Sequence, residues 1–218
     1  ILDWKIVAEN IYDDLKLEVS KLQNKPKWVV VLVWNNSSSL RYVSQKEKWA
    51  KYIWVDFEVL KLDENITTAD LIYEVEKLNN DDNINGFIIQ LPLPKHICEE
   101  EVISKINPKK DIDWFHIENL WKIMIWDNSG LTPCTPSWII DLFDYYQIDL
   151  TGKNIVIIWR SNIVWKPLLN MLVNRNATVT ICHSKTKDIS IYTKNADIVI
   201  VAVWVANFLK SDILKPNS

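Results

Sequence analysis

Short, wholly apolar runs separated by amphipathic segments of helical length constrain this chain more than any other feature. Residues 29–33, Val-Val-Val-Leu-Val, contain no polar position, the pattern of a strand buried on both faces. Residues 55–60, 87–91, 154–158, 178–182 and 196–202 also read as strands. Between them, residues 6–22, 42–52, 69–78, 99–106, 137–146 and 164–174 repeat apolar positions at helical spacing. Thr67 or Thr68 is the expected cap of the third helix, and residues 107–110 read as a polar turn. Strand and helix in alternation predict an α/β protein with parallel sheets. The pattern restarts at Pro136, which divides the chain into domains at 1–135 and 136–218.

Composition excludes several function classes. The 218 residues carry a net charge of −3, so there is no basic footprint for nucleic acid. No apolar run approaches the roughly 18 residues of a membrane span, and no signal peptide is visible. Three cysteines, Cys98, Cys134 and Cys182, form no disulfide or metal spacing and suit a reducing, cytoplasmic setting. Cys182-His183 lacks a second cluster, so no metal site is expected. The chain begins at Ile1 without a methionine, and preceding residues are expected to be missing. One pair of counts is unusual: 12 tryptophans against 3 glycines. Together they make fifteen residues of 218, close to the roughly 7% that glycine alone supplies in an average protein.

The second half offers a nucleotide site. After the strand at 154–158 comes Trp159-Arg160-Ser161-Asn162-Ile163-Val164-Trp165, then a helix and a second strand, the βαβ unit of dinucleotide-binding folds. A phosphate turn there needs positive φ and close backbone approach, which glycine supplies. With glycine at 159 and 165 the turn is well formed; with indole at both ends it is expected to be blocked. The second strand runs into His183-Ser184-Lys185-Thr186 with no carboxylate for a ribose hydroxyl. Hydroxyls, a lysine and Arg160 favour a 2′-phosphate, hence NADP; the competing reading is a polar surface loop. The cofactor-binding candidates are Trp159, Arg160, Ser161 and Ser184.

Three clusters in the first half sit at strand ends or helix starts, where open α/β sheets bind ligands. They are Ser39 to Lys46, Gln90-Leu91-Pro92-Leu93-Pro94, and Lys110-Asp111-Ile112-Asp113-Trp114-Phe115-His116. Tyr42 and Lys46 share a helix face. Each cluster has an ordinary alternative: Lys46 is solvated on a charged helix, Gln90 ends a strand, and Asp111 and Asp113 terminate a turn.

Taken together, these segments resemble the bifunctional methylenetetrahydrofolate dehydrogenase/cyclohydrolase family in order and spacing. The resemblance rests on Tyr42-Val43-x-x-Lys46, Gln90-Leu91-Pro92-Leu93-Pro94, Lys110-Asp111-Ile112-Asp113, Pro133-Cys134-Thr135-Pro136 and Arg160-Ser161-x-x-Val164. Ile1-Leu2-Asp3 is similar to the family's opening. The resemblance implies two α/β domains around a cleft, the first binding folate and the second a Rossmann-type NADP domain, usually as a cytoplasmic homodimer. It implies oxidation of 5,10-methylenetetrahydrofolate by NADP⁺, then hydrolysis of the methenyl cation to 10-formyltetrahydrofolate for one-carbon metabolism and purine biosynthesis. Lys46 is implied as the central hydrolytic residue, because a desolvated lysine beside a cation can handle protons near neutrality. Gln90 is implied to hold it, Tyr42 to pack on the folate, and Asp113 to accept hydrogen bonds from the pterin. Leu91 and Pro92 join the substrate-binding set.

Two departures stand out. Trp4, Trp34, Trp54, Trp114, Trp121, Trp126, Trp138, Trp159, Trp165 and Trp204 occupy positions where the family carries glycine, with Trp28 and Trp49 at looser ones. The simplest account is decoding, since some bacteria read UGA as glycine, and heavy use of Ile, Lys and Asn fits an AT-rich genome. The family also continues past the equivalent of Ser218 with a strand, a glycine-rich segment and a helix, so the NADP domain is expected to be C-terminally incomplete. Amino-acid and shikimate-type dehydrogenases share a related scaffold but lack the Tyr42, Lys46 and Gln90 trio. If the tryptophans are genuine, a noncatalytic nucleotide-binding domain is the alternative.

Overall fold

A computed structural model describes residues 2–34, 36–127, 129–162, 164–201, 203, 205 and 207–215. The chain divides into two units, Asp3–Asn119 and Leu120–Ser218, each built on its own three-stranded sheet. Ile1 and Trp204, both singled out in the sequence, lie outside the described residues. Among the described residues, no helix is long and apolar enough to cross a membrane.

In the first unit the order is α1 (Trp4–Ser20), β1 (Lys27–Leu32), α2 (Ser37–Tyr52), β2 (Asp56–Lys61), α3 (Thr68–Asn80), β3 (Gly86–Ile89) and α4 (Glu99–Ile103). The strands are parallel in the order β2-β1-β3. The valine run explains why β1 is central. Val29, Val31 and Val33 pack with Leu71 and Val75 of α3 on one face. Val30 and Leu32 pack with Val43 of α2 on the other, so both faces are dry. Thr67 caps α3, its side chain accepting from the Asp70 N–H.

The second unit runs α5 (Ile117–Met124), α6 (Cys134–Tyr145), β4 (Asn154–Ile158), α7 (Trp165–Val173), β5 (Thr178–Cys182), α8 (Ser190–Thr193) and β6 (Ile198–Val201). The first residues of α5 precede the contact division at Leu120. Its strands are parallel in the order β5-β4-β6. Ile155 and Ile157 pack with Leu168 and Leu172 of α7, while Val156 and Ile158 face Cys182 and Ala196.

Helices α5 and α8 are absent from the sequence reading. Each is short, so periodicity has little to register. The end of α5 is tied into the second unit where Asn174 Nδ2 donates to the Ile123 carbonyl at 2.9 Å. The chain thus changes unit ahead of the boundary read at 135.

Glycine-type backbone is used by residues that are not glycine. Among the described residues, Trp54, Trp114, Trp126, Gln147, Trp159, Asn176 and Asn207 have positive φ.

Candidate active site

Helix α2 carries Lys46 inward. Asn36 caps it, its side chain accepting from the N–H groups of Ser38 and Ser39, which satisfies two otherwise orphaned donors. Ser39, Val43 and Ala50 are buried and mark the stripe facing the sheet. Lys46 falls on that stripe at helical spacing. Its stem is half-buried, while its ammonium reaches the carboxyl end of the strands. Tyr42 sits about 40° around the helix from Lys46 and is 61% exposed, leaving its ring open to a ligand.

Gln90 follows β3 and is 8% exposed. Its backbone N–H donates to the Val31 carbonyl at 2.9 Å, extending the pairing by one residue. Its Nε2 donates to the Leu91 carbonyl at 2.9 Å, which turns Oε1 toward Lys46 and accepts from Nζ at 3.4 Å. Ser39 Oγ donates to the same Leu91 carbonyl at 3.5 Å. Leu91 is half-buried and Pro92 exposed at the start of the turn that closes the strand.

Asp113 arrives on a loop anchored to the sheet edge. Phe87 N–H donates to the Lys110 carbonyl at 2.8 Å, and Lys110 Nζ donates to the carbonyls of Leu78 and Asp81. Asp111 is 1% exposed. Its Oδ1 accepts from Trp114 N–H at 2.8 Å and its Oδ2 from His116 N–H at 2.8 Å. Asn119 Nδ2 donates to that carboxylate at 3.5 Å and to the Pro108 carbonyl at 3.1 Å. Burial pushes the Asp111 carboxyl above its ordinary range, while the N–H groups of His116 and Trp114 and the Asn119 amide pull it back. Asp111 therefore terminates the turn, as its ordinary reading has it. Asp113 is held where its Oδ2 accepts from Lys46 Nζ at 3.3 Å.

Lys46, Gln90 and Asp113 are thus one hydrogen-bonded group. An ammonium has three N–H bonds; Gln90 and Asp113 take two, leaving a donor for a ligand. Ser39, which opens the first cluster of the sequence, and Asn119, which escaped the sequence reading, are each 1% exposed and support this group.

In the second unit, the turn after β4 stands at the N-terminus of α7, where N–H groups are oriented toward an anion. Trp159 N–H donates to the Cys182 carbonyl at 2.9 Å. Ser161 Oγ accepts from Val164 N–H at 3.2 Å, tying the turn to the helix start. Arg160 and Ser184 are exposed, and no carboxylate follows β5 before Asp188. These features fit a nucleotide carrying a 2′-phosphate. Trp159 does not fit: it has φ 134° and leaves its ring 41% exposed at the turn. The expectation that both indoles obstruct the turn needs correction at Trp165. That side chain is 6% exposed and packs into the core with Ile157 and Leu168, because its position on α7 faces the sheet. Among the described residues, no group of three His, Cys, Asp or Glu side chains could hold a metal ion.

Two family models cover this chain: the tetrahydrofolate dehydrogenase/cyclohydrolase catalytic domain over residues 2–113, and the same family's NAD(P)-binding domain over residues 133–218. The chain belongs to the tetrahydrofolate dehydrogenase/cyclohydrolase family. The bifunctional protein FolD of Vesicomyosocius okutanii is 42% identical over the whole chain, which spans 78% of that relative's length. The crystal structure of the bifunctional FolD enzyme from Campylobacter jejuni superposes with a TM-score of 0.96 at 41% identity, over 98% of this chain and 77% of that one. A Trypanosoma brucei family structure complexed with NADP cofactor and an inhibitor matches with a TM-score of 0.93 at 30% identity, over 99% of this chain and 75% of that one.

Proposed function

We propose that Lys46, Gln90, Tyr42 and Asp113 carry the folate chemistry of this family member, and that Arg160, Ser161, Ser184 and the residue-159 backbone bind its cofactor. The chain is a methylenetetrahydrofolate dehydrogenase and methenyltetrahydrofolate cyclohydrolase that uses NADP. Held by Arg160, Ser161, Ser184 and the residue-159 backbone, NADP⁺ would supply the hydride acceptor for oxidation of the methylene bridge of 5,10-methylenetetrahydrofolate. The protein's work is alignment, charge and proton handling.

The observation that carries the residue roles is the placement of Lys46 Nζ between Gln90 Oε1 and Asp113 Oδ2. Gln90 restricts Nζ to one position, supported by its own bond to the Leu91 carbonyl. There Nζ passes protons to and from the water that opens the methenyl cation to 10-formyltetrahydrofolate. The exposed ring of Tyr42 packs on the folate and orients it. Asp113 accepts from the pterin and places negative charge near the cationic substrate. Leu91 and Pro92 form the adjoining wall.

We also infer that folate is bound within residues 1–135 and NADP within 136–218, a reading supported by the second family match beginning at residue 133. Assembly as a cytoplasmic homodimer supplying formyl groups to purine biosynthesis belongs to the same reading; cysteines that form no disulfide among the described residues suit that compartment. Lys46→Gln tests the central role. Hydrolysis of methenyltetrahydrofolate should fall about 10²–10⁴-fold, with methylene oxidation retained. Unchanged hydrolysis would remove Lys46 from the mechanism.

A further inference from the structure

Four of the seven described non-glycine residues with positive φ are tryptophan, although tryptophan makes up only 12 of 218 residues. Two of the other three are asparagine, the residue that tolerates this backbone best after glycine. Tryptophan has no such tolerance, since its Cβ meets the neighbouring carbonyl and its ring has no short polar group to compensate. Trp54, Trp114 and Trp126 have φ of 63°, 69° and 62°, and Trp159 has φ 134°, beyond the narrow left-handed well open to L side chains.

Independent observations fall on two of the same residues. Trp114 is 1% exposed, yet its Nε1 is buried without a hydrogen-bond partner. Buried indole N–H groups ordinarily find an acceptor. Trp159 occupies the first position of the turn before α7, where backbone must approach a phosphate closely. Two residues that are glycine show the same kind of demand. Gly152 has φ 70°, and a Cβ at Gly86 would lie 2.3 Å from Ile112 Cγ2. Not every tryptophan shows such a demand: Trp34 Nε1 donates to the Pro92 carbonyl at 2.8 Å, and Trp49 stacks on Tyr12 with centroids 4.0 Å apart.

We infer that residues 54, 114, 126 and 159 are glycine in the polypeptide made by the native ribosome, through UGA codons read as glycine. Position 159 is then the glycine of the NADP turn, a point that rests on the cofactor reading above; the other three do not.

Peptide mass mapping of the enzyme from its own organism reads the four positions directly. Glycine is expected at each, and tryptophan at these positions overturns the inference. Alongside it, the chain as written and its W54G/W114G/W126G/W159G variant are melted with and without NADP. The variant should melt on the order of 10 °C higher, from relief of four left-handed tryptophans. It should also gain a further rise with NADP that the parent lacks. Equal melting of the two proteins overturns the inference, and an equal NADP shift overturns the role of position 159. W49G serves as the control: loss of a stacked ring from a helix interior should lower the melting point. These readouts stand whatever Lys46→Gln does to hydrolysis, so the two proposals fail separately.

Discussion

The ends of the two sheets solve their binding problems by different means. In the first unit the proposed site is made of side chains: Lys46, Gln90 and Asp113 meet through hydrogen bonds. In the second unit the turn after β4 presents backbone at a helix N-terminus, and its leading residue has φ 134°. A side-chain site is written in residue identity and tolerates small shifts of the chain. A backbone site is written in the absence of a Cβ, and one wrong residue obstructs it while the surrounding fold persists.

The comparison breaks most sharply at Lys46, where Lys46→Gln should cost hydrolysis about 10²–10⁴-fold and leave the second unit's melting unchanged, as followed by hydrogen exchange. Next comes Gly86→Ala, which brings the first unit's own dependence on a missing Cβ into view. The added methyl would sit 2.3 Å from Ile112 Cγ2 and 3.3 Å from the Lys110 carbonyl. It should destabilise by about 1–3 kcal/mol and lower hydrolysis by moving Asp113, measured by denaturant titration and initial rates. Asp111→Asn should follow at about 1–3 kcal/mol, because an amide group would face an N–H that the carboxylate now accepts. A rise in the folate KM larger than the fall in kcat would mark loop displacement.

Acid should separate the units too. In the second unit, the side chains and N–H groups of Ser129 and Ser190 hold Asp127 and Asp188, and the N–H groups of Thr151 and Asn154 hold Asp149 and Asp197, below the ordinary carboxylate value of 3.8. Their stabilisation is present above that value and is lost as pH falls through the folded values. Asp111 is raised by burial, so its contribution is full below 3.8 and is lost as pH rises through its folded value. Asp81 of the first unit and Asp141 of the second run against this trend, but the balance predicts that the second unit unfolds first on acidification. Hydrogen exchange across a pH series checks the order. The smallest effect belongs to the exposed Arg175–Asp144 pair, bonded at 2.6 and 2.8 Å. Arg175→Ala should cost only about 0.2–1 kcal/mol.

The same contrast explains what was legible from sequence. Lys46, Gln90 and Asp113 could be named because their chemistry is in their side chains, and both sheets could be read from valine and isoleucine runs. The sheet orders and the tying of α5 to the second unit depend on tertiary packing that no local pattern encodes. Trp165 was read as an obstruction because a turn was visible in the sequence, whereas the inward face of α7 was not. Asp111 and Asp113 look alike two residues apart, and only the three donors around Asp111 distinguish the anchor from the half-buried acceptor.

That anchoring has an entropic consequence. The loop bearing Asp113 is fixed by the Phe87 to Lys110 bond and by the Asp111 carboxylate, so it becomes ordered as β3 joins the sheet. On the proposed roles, a folate arriving at Lys46 would meet a carboxylate whose freedom was already lost in folding. Binding there would carry no separate loop-ordering cost, because the acceptor is positioned before any ligand is present.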